Sequence, residues 1–143
     1  MPFAERTRVP VAKTRTEIEQ LLQRHKALQF GSAVDYQTRQ ARVQFRLHDR
    51  IVRFVIALPD PARLRGDRFD QAERQKWRAL LLAIRAKLES VASGIETFEQ
   101  AFLAHVVLPN DLTVAETLRP FIASAYADGR MPRALVAGSE AQP

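Results

Sequence analysis

The chain has no cysteine among its 143 residues. Disulfides, thiolate metal sites and a cysteine nucleophile are therefore excluded together. Glycine is also scarce, at five residues, and the sequence contains no G-x-x-x-x-G-K-[ST], G-x-G-x-x-G or G-x-S-x-G. The usual phosphate-cradling loops and nucleophile elbows are not encoded. No apolar run approaches the roughly 20 residues that span a bilayer, and MPFAERTRVPVAK is charged throughout, without the apolar segment of a signal peptide. A cytoplasmic protein with no membrane partner is expected. His25, His48 and His105 lie far apart, and none has a neighbour at metal-ligand spacing. Pro59-Asp60 has the form that opens a nuclease metal motif, but no (Asp/Glu)-x-Lys follows within a strand. The expectation is a protein that is not an enzyme and needs no metal or cofactor.

What is present is a core and an excess of positive charge. With 46% hydrophobic and 27% charged residues, the length suits one domain with one core. Residues 1–92 hold 19 Lys/Arg against 10 Asp/Glu, and residues 93–143 hold 3 against 6, so the two parts carry +9 and −3 within the overall +6. That asymmetry favours an anionic partner for the first part. Eighteen of the 22 basic residues are arginine, which suits two-pronged recognition of phosphate, although a coding bias would leave the same mark.

The stretch ARVQFRLHDRIVRFVIAL, Ala41 to Leu58, alternates with period 2 on both sides of Asp49-Arg50. Pairing Leu47 with Val52, Phe45 with Phe54 and Val43 with Ile56 gathers the strong apolar side chains on one face. That register sets Arg46 opposite Arg53, a like-charge pair that needs a carboxylate, solvent or an anionic ligand to compensate it. Gln29 to Tyr36 supplies another strand, with a turn over Gln37 to Gln40, Tyr36 meeting Ala41 and Asp35 meeting Arg42. The face away from the core then has Gly31, Ala33, Val55 and Ala57 as a shallow floor around Arg46 and Arg53.

Helices flank this meander. Residues 1–13 are expected to be extended. Thr14 to Lys26 reads as a helix, opened by capping-box spacings Thr14/Glu17 and Thr16/Glu19 and striped by Ile18, Leu21, Leu22, His25 and Leu28. PDPARLRGD is a loop. From about Phe69 the apolar positions Trp77, Leu81, Ile84, Leu88, Val91, Ile95, Phe98 and Phe102 predict a long helix, bent where Ser93-Gly94 weakens it. Arg74, Arg78 and Arg85 fall within about 40 degrees of one another on its wheel, beside the apolar seam. His105 to Leu108 is short and apolar, Pro109-Asn110-Asp111 is a turn, and Thr113 with Glu116 opens a helix that Gly129 ends, with Pro120 expected to kink or divide it.

The fold class is thus α+β: a three-stranded antiparallel β-meander packed on a long amphipathic helix, with an N-terminal and a C-terminal helix. One domain is assigned to residues 1–132 and a flexible tail to 133–143. The candidate nucleic-acid-binding residues are Arg42, Arg46, Arg53, Arg74, Arg78 and Arg85, with no catalytic or metal-ligating residue assigned.

Arg8-Val9-Pro10-Val11, Val52-Arg53-Phe54, the run Arg74 to Leu82, Lys87-Leu88-Glu89 and the run Phe102 to Pro109 resemble small uncharacterised proteins of tailed phages and prophages. The resemblance covers Arg8 to Pro132 and implies a phage or prophage origin and action inside the bacterial host. In organisation, a β-meander followed by a long helix is similar to the core of phage single-strand annealing proteins, which oligomerise and hold DNA in a basic groove. The leading expectation is a DNA-binding protein of phage replication or recombination, with ssDNA binding or annealing as its specific form. The alternatives are a protein-binding inhibitor or adaptor of a host or phage enzyme and a homo-oligomeric structural component.

Overall fold

The computed structural model describes Ala4 and residues 6–133. Its elements are α1 (Val11–Arg24), β1 (Gln29–Asp35), β2 (Gln40–Leu47), β3 (Arg50–Ala57), α2 (Asp67–Ala92), α3 (Phe98–Phe102) and α4 (Val114–Asp128), with a 3-10 turn at Leu103–His105 between the last two. The sheet is antiparallel in the order β1-β2-β3, as the meander requires. The expected tail, apart from Arg133, lies outside the described residues. No helix among the described residues is long and apolar enough to cross a membrane.

The apolar parity is as expected, but both hairpin registers differ by two residues from the expected pairing. Leu47 pairs with Arg50, Phe45 with Val52, Val43 with Phe54 and Ala41 with Ile56. The reversal is centred on His48 and Asp49, both with positive φ (51° and 58°). Two left-handed residues make the tight turn whose twist matches that of paired strands, so the chain reverses one residue earlier than the polar pair Asp49-Arg50 suggested. A shift of two keeps every side chain on its face and changes its partner. Arg46 consequently faces Ile51, and Arg53 faces Gln44. The expected opposition of Arg46 and Arg53 does not exist. In the other hairpin Asp35 pairs with Gln40 and Ala33 with Arg42, because Asp35 Oδ1 accepts from the Gln37 and Thr38 amides and closes the turn early.

Helix α1 begins three residues before Thr14. Pro10 sits just ahead of it with φ −59°, where its missing N–H costs nothing. Thr14 is instead a fully buried residue of the first turns, and the Thr16 hydroxyl donates back to the Ala12 carbonyl, so neither threonine caps. Ile18, Leu21 and Leu22 are buried as expected, whereas His25 and Leu28 are exposed. The helix ends with Lys26 in the left-handed region and a bond from the Ala27 amide to the Leu22 carbonyl.

The long seam belongs to two helices rather than one bent helix. Gly94, at φ 74°, turns the chain after α2, and Ile95 is left exposed. Thr97 then caps α3, accepting from the Gln100 amide while the Gln100 side chain accepts from the Thr97 amide. Phe98 and Phe102 still enter the core by this second route. The core joins Ile18 and Leu22 of α1, Val43 and Phe45 of β2, Val52, Phe54 and Ile56 of β3, and Trp77, Leu81, Ile84 and Leu88 of α2. Burying each such side chain contributes roughly 1.5–3 kcal/mol, which makes this the dominant stabilising layer.

Beyond β3 the chain adds a short fourth lane, in which Val106 bridges Val52 and the Val107 amide donates to the Ile51 carbonyl. Helix α4 is capped by Thr113 and ended by Gly129 in the left-handed conformation, as expected, and runs through Pro120 without dividing. None of its residues is buried.

Candidate nucleic-acid interface

The six arginines expected to form one interface lie in two layers. Arg42, Arg46 and Arg53 are on the outer face of the sheet, and Arg74, Arg78 and Arg85 are on α2, which packs against the inner face. The thickness of the core separates the two groups.

On the outer face, Arg53 is engaged. It is buried, its Nε donates to Gln44 Oε1 at 3.0 Å, and its two terminal nitrogens donate to the Asp111 carbonyl and Oδ1 at 2.9 and 2.7 Å. These bonds tie β3 to the loop after the fourth lane. The same contact, reinforced by the charge of Arg53 and then of Arg42, holds the Asp111 carboxyl below the usual range. The turn at Pro109-Asn110-Asp111 was legible, but its role as the partner of Arg53 was not. Arg42 and Arg46 are exposed, with exposed Gly31, Ala33, Val55 and Ala57 nearby on the same face. Both have acidic neighbours. Asp49 is 4.0 Å from Arg46, and Arg42 adds to the lowering of Asp35, whose carboxyl is held down chiefly by the Thr38 and Gln37 amides. Three arginines among Asp35, Asp49 and Asp111 make this face close to balanced in charge.

The helical layer differs. Arg78 donates to Glu17 at 2.8 Å across the α1–α2 seam. Arg74 donates to Gln71 Oε1, and Gln71 Nε2 in turn donates to the Thr7 carbonyl, which fixes the segment before α1 across α2. Arg6 and Arg8 on that segment line a hollow with Arg74, Gln71 and Asp67. Arg85 is exposed three turns further along the same side of α2, about 16 Å from Arg74 at 1.5 Å per residue. Arg6, Arg8, Arg74 and Arg85 form no ion pair among the described residues, as the five pairs use Arg39, Arg46, Arg50, Arg53 and Arg78. Among the described residues this track of five arginines has Asp67 lining its hollow and Glu17 paired with Arg78. Sequence reasoning missed Arg6 and Arg8, since nothing local shows that the segment before α1 folds back over α2.

The histidines remain apart. His25 follows α1, His48 lies on Phe98 at 5.0 Å, and His105 stacks on Phe54 at 4.0 Å. Burial, then the charge of Lys87, pushes His105 below the ordinary histidine value. No three His, Asp or Glu side chains gather as a metal-binding group among the described residues.

The chain matches no protein-family model, and it has no significant match among curated proteins or solved structures.

Proposed function

We propose that the chain is a nucleic-acid-binding protein that holds a strand by its phosphates along the α1–α2 track. In this reading it acts in phage DNA replication or recombination within the host cytoplasm, by binding rather than catalysis, and single-strand binding or annealing is its specific form. The observation that carries the reading is the run Arg6, Arg8, Arg74 and Arg85, whose charges have no carboxylate partner among the described residues, on one side of a basic chain. Contacts of this kind position a backbone and carry little sequence information. The phage setting rests on the sequence resemblance.

Fluorescence anisotropy with a labelled single strand at low salt tests it. Arg74→Ala with Arg85→Ala should weaken binding tenfold or more. It should also flatten the log–log salt slope by about 1.4, since each phosphate contact on a single strand contributes about 0.7. Arg42→Ala with Arg46→Ala should do much less. An absence of binding to single or double strands at low salt refutes the proposal.

A second reading, a protein-binding adaptor or inhibitor or a homo-oligomeric component, is favoured by α4, which leaves Ile122 and Tyr126 50% and 87% exposed. A stoichiometric protein partner that survives nuclease treatment would support the former. Light scattering that finds only monomer would remove the latter.

A further inference from the structure

The α1–α2 track is not uniform, and its two ends differ. At the Arg85 end the arginine is exposed, with exposed Glu89 one turn further along α2. At the other end Arg6, Arg8 and Arg74 line a hollow of about 690 Å³. Arg74, which lines it, also carries a solvent-shielded Nε–H with no acceptor among the described residues. A buried donor left unmet is destabilising, and an acceptor that reached it as the side chain shifted would relieve that. The same lining includes Asp67, the first residue of α2.

We infer that this hollow receives a terminal phosphate monoester, so that the track reads the end of a strand as well as its backbone. The inference rests on the nucleic-acid reading above. Three cations lining one hollow reward the second charge of a monoester, which a phosphodiester does not carry. Guanidinium groups present paired N–H donors that match phosphate oxygens. The described lining has no aromatic side chain on which a base could stack, so recognition falls on the phosphate and the base is read weakly.

The test compares oligonucleotides of one sequence with a 5′-phosphate, a 3′-phosphate or two hydroxyl ends, together with a 5′-mononucleotide, by anisotropy or calorimetry. One phosphorylated end should bind at least fivefold more tightly than the hydroxyl-ended strand, and which end does so fixes the polarity of the strand. That preference should vanish in Arg74→Gln and in Arg8→Gln while the hydroxyl-ended strand is still bound through Arg85. Arg8 is exposed, so its variant decides the matter if Arg74→Gln does not fold. Competition by the mononucleotide, absent in Arg8→Gln, would place the monoester in the hollow independently of the strand. Equal binding of all three strands overturns the end-recognition inference and leaves the backbone reading standing. No binding of any strand overturns both.

Discussion

Replacing Arg53 by methionine separates an arginine that supports the fold from arginines available to a ligand. The guanidinium makes three hydrogen bonds, to Gln44 and to the carbonyl and carboxylate of Asp111, from a side chain that is only 9% exposed. A hydrogen bond contributes about 0.5–1.5 kcal/mol net, and more where charge assists it. Breaking a fully buried ion pair costs about 3–5 kcal/mol because the abandoned charge stays buried. That larger figure does not apply, since the Asp111 side chain is 82% exposed and returns to water once released. Methionine also preserves the aliphatic packing of the stem. The expected loss for Arg53→Met is therefore about 1–2 kcal/mol, read as a fall in Tm of roughly 3–8 °C by circular dichroism. Binding of a single strand, measured on the folded protein, should be unchanged. Arg74→Ala with Arg85→Ala should show the opposite pattern, weaker binding at nearly constant Tm. An Arg53→Met protein with the Tm of the parent and a tenfold loss of binding would refute the assignment of Arg53 to the fold and return the interface to the outer sheet.

Asp49→Gly should stabilise the protein by about 0.5–1 kcal/mol, because Asp49 occupies φ 58°, where a side chain is strained and glycine is not; an unchanged or lower Tm would argue against that turn. Phe102→Ala should cost about 3–5 kcal/mol, since the fully buried ring meets Phe45, Phe54 and Phe98 at centroid distances of 5.8, 6.3 and 4.8 Å. A loss below about 1 kcal/mol in denaturant titration would mean that the α3 side of the core is not packed in this way. His105 contributes a pH dependence of definite sign. Its folded value lies below the ordinary 6.5, so as the pH falls through 6.5 the unfolded chain takes up a proton that the folded chain refuses. Stability is then lost progressively until the folded value is passed. The urea midpoint should fall between pH 7.5 and 5.5, two values chosen to bracket the window at about 6.5, and should fall less in His105→Phe, which keeps a ring on Phe54; equal falls would reject the assignment.

The fold was legible to the extent that it depends on periodicity. Alternation over Ala41 to Leu58 sorts side chains between two faces, and this sorting survives a two-residue shift of register. The shift itself was hidden because strand parity is blind to it. What decides it is turn geometry, carried by His48 and Asp49 in one hairpin and by the Asp35 carboxylate in the other. Neither turn has the glycine that usually marks left-handed backbone. In the same way the 3-4 spacing from Trp77 to Phe102 identified the core residues but not the break at Gly94, as a turn and a fresh cap at Thr97 return Phe98 and Phe102 to the core they would have reached on one helix.

The site was less legible for a physical reason. A count of charge along the chain gives +9 for residues 1–92, but a charge is available to a ligand only if tertiary contacts leave it unpaired. Arg53 meets Asp111 across 58 residues, Arg78 meets Glu17 across 61 and Arg50 meets Glu99 across 49. No local pattern announces pairs at such separations. They remove from the surface the arginine that looked most exposed to like-charge repulsion, and they leave the unremarked Arg6 and Arg8, which the Gln71–Thr7 bond carries to Arg74, without an ion pair among the described residues. Surface ion pairs contribute little to stability, yet they decide which cations face solvent alone. The pairing pattern, more than the number of arginines, therefore shifts the candidate interface from the sheet to the α1–α2 seam.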